Sequence, residues 1–212
     1  MAVATYTKNF SRTLVYIPIV HSQADMGSLG QSIHRSHLHR KGKTVSKRKA
    51  AAIDQIWANI ESAIERLHLV YPKVRLYQDG LPVCGRELDI VQDLAESGSR
   101  NHQLLLSMIK KGAILMGTES AELLIKEYEL YKSIINTSNI YPVSKMKPPQ
   151  KALSESVLKA RDHYIAQHIN QTLCAGETGI LFLGMLHASE PFFSADIQIT
   201  YPIGKPVGIA GR

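Results

Sequence analysis

Residues Gly179–Glu190 read GILFLGMLHASE, and the fold turns on how that stretch is read. Five of the six residues Ile180–Met185 are apolar, so the run suits a core strand. It then delivers His187, followed by small and polar residues. An imidazole in that place is either a satisfied core histidine or a reactive group carried to the edge of a sheet. The other strand-like segments bear on the choice.

Thr13–Val20 (TLVYIPIV) is dominated by β-branched and aromatic residues and reads as a buried strand, with Pro18 marking its end or an irregularity. A helix is expected from near Thr44 or Ser46. Its apolar stripe is Ile53, Ile56, Trp57, Ile60, Ile64 and Leu67, and Tyr71-Pro72 stops it. Val74–Tyr77 is a short second strand running into the turn signal Gln78-Asp79-Gly80. Leu88, Val91, Leu94 and Ala95 mark a helix closed by Gly98, and Ser99 caps another carrying Leu105, Met108 and Ile109.

Residues Ala113–Glu119 supply the third strand, and Ser120 caps a helix with Leu124, Tyr128, Tyr131 and Ile135 on one face. Lys147-Pro148-Pro149-Gln150 resembles a short linker. Leu153–Leu173 is a long helix, Gly179–Leu186 the fourth strand, and Ile197–Tyr201 a fifth at an edge. Strands alternating with helices predict one α/β domain over residues 1–212. Its central sheet would be largely parallel, with four or five strands flanked by helices.

The chain is long enough for one substantial core, at 212 residues. No apolar run approaches membrane-spanning length, and MAVATYTKNFSR lacks the apolar stretch of a secretory signal. Two cysteines, Cys84 and Cys174, sit far apart in no metal-type spacing, so a reduced, cytoplasmic protein is expected. The net charge of +7 is concentrated. Between Met26 and Ile53 there is no acidic residue, while Arg35, Arg40, Lys41, Lys43, Lys47, Arg48 and Lys49 all fall there. This block could attract a nucleotide or nucleic acid, but no aromatic residue is interleaved for base stacking, so a solvated loop and helix start is favoured. His34, His37 and His39 match no established metal spacing, and the region 34–49 reads as a basic lid. Ser28 lacks a Gly-x-Ser-x-Gly surround, and HSQADMGSLG lacks the ending of a phosphate-binding Walker loop.

In open parallel sheets ligands bind beyond the carboxyl ends of the strands. The first strand here runs into His21 and Asp25, the second into Gln78 and Asp79, the third into Thr118 and Glu119, the fourth into His187. Each has a structural reading: Asp79 as a turn former, Glu119 as a helix-start carboxylate, the histidines as core residues. Their coincidence at one edge favours a site. Arg161 and Asp162 fall on or beside the stripe Leu158, Ile165, Ile169 and Leu173 of the long helix, where unpaired charge is costly. Either they pair with acids such as Glu119, or Arg161 grips an anionic group.

RDHYIAQHINQTLCAGETGILFLGMLH is similar to the late signature of the TraB, ChaN and erythromycin-esterase-like superfamily: a helix arginine, then an apolar stretch, then a strand ending in Gly-x-x-His. The matching positions are Arg161, Ala166, Ile169, Gly184 and His187. LMGTES resembles its mid-chain strand glutamate, here Glu119, and IPIVHS its first-strand histidine, here His21, with Pro18 where members usually place glycine. The resemblance implies an α/β fold with a pocket built from the two histidines, Glu119 and Arg161. Its members range over ester hydrolysis, proposed metal-dependent proteolysis and haem binding.

Three functions follow as expectations. The first is a hydrolase in which His21, Glu119 and His187 activate water, directly or as ligands of a divalent metal. Arg161 would then serve an anionic small-molecule substrate or an oxyanion, and Asp25, Gln78, Asp79 and Asp162 would bind or orient it. The second is a protein that holds haem or a small anionic ligand without chemistry. The third is a nucleotide or nucleic-acid binder acting through residues 35–49.

Overall fold

The structure, a computed structural model, describes residues 11–20, 43–137 and 147–205. His21, Asp25, Ser28, the His34/His37/His39 cluster and the side chains of the basic block lie outside the described residues.

The chain order is β1 (Arg12–Ile19), α1 (Lys43–Glu65), β2 (Val74–Gln78), α2 (Glu87–Glu96), α3 (Arg100–Lys110), β3 (Ile114–Met116), α4 (Ala121–Thr137), α5 (Pro148–Thr172), β4 (Thr178–Gly184) and β5 (Ile197–Thr200). The strands form one five-stranded sheet in the order β3-β2-β4-β1-β5. Every pairing is parallel. The opening stretch of sequence thus lies in the middle of the sheet. β4 pairs with β1 from Thr13↔Thr178 to Ile19↔Gly184, and with β2 from Val74↔Thr178 to Gln78↔Phe182.

That position explains its composition. Ile180 and Phe182 enter the core on one face with Trp57, Ile60 and Ile64 of α1, Val91 of α2, and Leu105 and Met108 of α3. Leu181 and Leu183 enter the other with Ile165, Ile169 and Leu173 from α5 and its end. All four strand side chains are fully buried, each worth about 1.5–3 kcal/mol relative to exposure. α4 lies against α5 on the second face.

Two boundaries differ from the sequence expectation. β4 ends at Gly184 rather than Leu186, because the Gly184 amide donates to the Asp79 carboxylate at 2.8 Å and the chain then turns. Met185 and Leu186 stand on that turn with relative exposures of 55% and 66%. Residues 147–150 are the entry of α5 and not a linker. Pro148 and Pro149 occupy first-turn positions that need no donor, and the Lys147 amide donates to the Gln150 side chain at 3.1 Å.

The edge strand β5 is fastened by Arg12. Its guanidinium grips both oxygens of Asp196 at 2.8 and 2.7 Å and donates to the Asn170 and Leu173 carbonyls. Among the described residues no helix is long and apolar enough to cross a membrane.

Candidate functional site

The chain leaving β2 passes to β3 on one side, while the chain leaving β4 passes to β5 on the other. The connections thus reverse direction between β2 and β4, and the carboxyl end of such a pair is the place where ligands collect in parallel sheets. Asp79 and His187 flank it.

Asp79 begins as the turn former its sequence suggests. The Leu81 amide donates to the Gln78 carbonyl at 3.2 Å, and Gly80, at the third turn position, has φ +77°. That left-handed conformation is the reason for a glycine there. The turn does more than reverse the chain. It presents the Gly80 amide to Glu119 Oε1 at 2.6 Å and aims the Asp79 side chain at α5.

Glu119 arrives from the segment after β3. Its backbone pairs with the same turn: Thr118 and Glu119 both donate to the Leu81 carbonyl, and Val83 donates to the Glu119 carbonyl. The approach is so close that a Cβ on Gly117 would stand 2.7 Å from the Val83 Cα and 2.9 Å from the Pro82 carbonyl oxygen. Thr118 Oγ1 accepts the Gln78 amide at 2.8 Å and locks the two strand ends together.

Arg161 sits at the centre. Its Nε donates to Glu119 Oε2 at 2.6 Å, its Nη2 to Glu119 Oε1 at 2.6 Å and to Asp79 Oδ1 at 2.8 Å, and its Nη1 to Glu127 Oε2 at 2.7 Å. Four of the five guanidinium N–H groups are thereby committed to carboxylates. Of the two expectations for Arg161, pairing with acids is the one the geometry displays. Burial disfavours its charge, yet the surrounding carboxylates dominate and hold its pKa above the ordinary arginine value.

Asp162, the next residue on the helix, serves His187. Its Oδ1 lies 2.7 Å from His187 Nδ1, and its Oδ2 accepts the Ala188 amide at 3.0 Å. The other ring nitrogen, Nε2, is 3.5 Å from Asp79 Oδ2, longer than a settled hydrogen bond. The His187 side chain is 4% exposed. Burial works against its proton, but the bonds to Asp162 and Asp79 outweigh that and raise its pKa to about 10. At neutral pH it is an imidazolium held between two carboxylates.

Among the described residues, four carboxyl groups, Asp79, Glu119, Glu127 and Asp162, face two cations, Arg161 and His187. Burial raises the Glu119 pKa against the pull of Arg161, and the neighbouring Asp79 charge adds to the rise. Asp79, Glu119 and His187 each offer one ligand atom, all within 4.8 Å of one another, so a metal ion could be held there.

Asp79, Glu119, Arg161, Asp162 and His187 thus meet as the strand-end and helix-face arguments expect. Gln78 does not join them: its side chain follows Val74 and Leu76 onto the opposite face of the sheet. Glu127 is the member sequence reasoning missed. It stands beside Tyr128 at the fringe of the α4 stripe, and a carboxylate there reads as solvated. No protein-family model, curated protein or solved structure matches the chain.

Proposed function

We propose that the chain is a hydrolase-like enzyme whose acid–base centre is His187 with Asp162, Asp79 and Glu119. The observation that carries this reading is the asymmetry of the imidazole. Nδ1 is fixed by Asp162 at 2.7 Å, while Nε2 faces Asp79 across 3.5 Å at the carboxyl edge. A carboxylate that fixes one ring nitrogen sets which nitrogen exchanges protons. His187 Nε2–H is the proton donor to a leaving oxygen or nitrogen. The Asp79–Glu119 carboxyl pair draws a proton from the attacking water. Arg161 positions that pair and is not the main hold on the substrate, since four of its five donors are engaged. The resemblance to the TraB, ChaN and erythromycin-esterase-like superfamily supports the reading, because its arginine, glutamate and Gly-x-x-His motifs meet here in one place.

A second reading rests on the grouping of Asp79, Glu119 and His187 within 4.8 Å. Two carboxylates and an imidazole suit a divalent cation such as Mn²⁺ or Zn²⁺. Such an ion would supply Lewis acidity and a more acidic bound water. His187 would have to give up its proton to take part.

One experiment tests both. Untagged protein is assayed against ester, amide and phosphoester panels, with chelator and with added Mg²⁺, Mn²⁺ or Zn²⁺. Turnover that survives chelator and falls at least a hundredfold in Asp162→Asn supports the metal-free centre. Turnover that needs the cation supports the second reading. Inactivity across every arm overturns both.

A further inference from the structure

The other face of the carboxyl edge holds polar groups that the acid–base centre does not use. Asn101 has a relative exposure of 0%, and among the described residues neither its Oδ1 nor its Nδ2 has a hydrogen-bond partner. Gln78 is 1% exposed; its Nε2 donates to the Asp79 carbonyl at 3.1 Å, which fixes the amide orientation and leaves Oε1 without a partner. For Asn101 either assignment of O and N presents one acceptor oxygen and one NH₂.

These two residues lie at the same end of the same core. Gln78 follows Val74 and Leu76 onto the α1–α3 face, and Asn101 precedes Leu105 and Met108 by four and seven positions on α3. Their heights agree as well. From Lys110 back to Asn101 the helix rises about 14 Å. From Ala113 to Gly117, the level of Gln78 given the pairing Tyr77↔Met116, the strand rises about 13 Å. α3 leads into β3 through the turn at Lys111–Gly112, so both distances start from one base. Ser99, which caps α3, and His102 are bonded to each other beside Asn101, at 2.6 Å.

A buried carboxamide with no partner is costly, and native proteins keep one where a ligand or an ordered water completes it. We propose that Gln78 and Asn101 form a binding site for the donor–acceptor edge of a neutral amide, whether a simple carboxamide or the lactam edge of a nucleobase. The three unpaired sites, two acceptor oxygens and one NH₂, match a group that both donates and accepts. They offer nothing to an anion beyond that single NH₂. The site lies across the sheet from the acid–base centre and does not depend on that centre being catalytic.

The test is NMR titration of the full ¹⁵N-labelled chain with acetamide, with uracil, and with N,N-dimethylacetamide, which lacks an N–H donor. Acetamide, uracil or both should shift the Asn101 and Gln78 side-chain NH₂ resonances, and dimethylacetamide should not. A response to acetamide alone assigns a simple carboxamide, and a response to uracil alone a nucleobase edge. Asn101→Leu should weaken the binding at least tenfold while leaving the melting temperature unchanged or higher, since it removes a group with no partners. Gln78→Met repeats the measurement at the other carboxamide should the first variant fold poorly. Two results would overturn the site. One is the absence of any shift with either amide, which leaves only ordered water. The other is a melting temperature lowered by many degrees in both variants, which makes the two amides structural.

Discussion

Arg161 draws together three carboxylates from three stretches of chain: Asp79 after β2, Glu119 after β3 and Glu127 on α4. Removing one partner from a buried ion cluster costs more than the pair is worth, because the remaining charges stay buried. Arg161→Met should therefore lower stability by about 3–5 kcal/mol in urea unfolding. Adding Glu119→Gln to that variant should recover part of the loss, and a double variant no better than the single would refute the charge argument. His187 supplies a pH signature. Its folded-state pKa of about 10 lies above the ordinary imidazole value of 6.5. The stabilisation is therefore fully present below about pH 6.5 and fades as pH climbs towards 10. In chelator-treated protein the urea midpoints of wild type and His187→Gln should converge between pH 7 and 10; a constant gap would count against the imidazolium.

At the scale of elements, the site depends on how closely the Gln78–Val83 turn and the Gly117–Glu119 segment approach. Gly117→Ala would force a Cβ to 2.7 Å from backbone, which cannot swing aside as a side chain can. A loss of about 1–3 kcal/mol is expected by thermal melting, in the range of overpacked cores. An unchanged melt would show that the two segments have room to part. Asp79, Glu119 and His187 were readable in the sequence because a parallel strand ends with its side chains at one edge. Arg161 and Asp162 were readable because helical phase sets them beside Leu158 and Ile165. Glu127 was not, since a carboxylate at the margin of a stripe looks the same whether it meets water or Arg161. Asn101 lay within reach: stepping back four residues from Leu105 lands on it, although a polar residue in a first turn is usually taken for part of a cap.

At the scale of the whole molecule, the sheet order was the hidden quantity. Local patterning marks each strand, but nothing local states that β4 enters between β1 and β2. That order is set by long-range packing, in which both faces of β4 find cores already lined by α1–α3 on one side and α5 on the other. Its placement carries a testable cost. A chain ending at Thr172 keeps β1, β2 and β3 but lacks the strand that joins β1 to β2. Such a chain should be digested by protease as an unfolded polypeptide and show no cooperative melt, whereas survival of a resistant fragment would mean that β1 and β2 can pair directly.

Among the described strands the central one follows β1, β2 and β3 in the chain, which has a consequence for biosynthesis. As the ribosome works through α5, the nascent chain exposes the edges of β1 and β2, both apolar and both awaiting the same partner. Only when Thr178–Gly184 clears the exit tunnel can those edges close. The cluster around Arg161 and His187 is completed just after, as His187 emerges three residues behind the strand. Closure of the sheet and completion of that cluster are thus tied to one short stretch of chain.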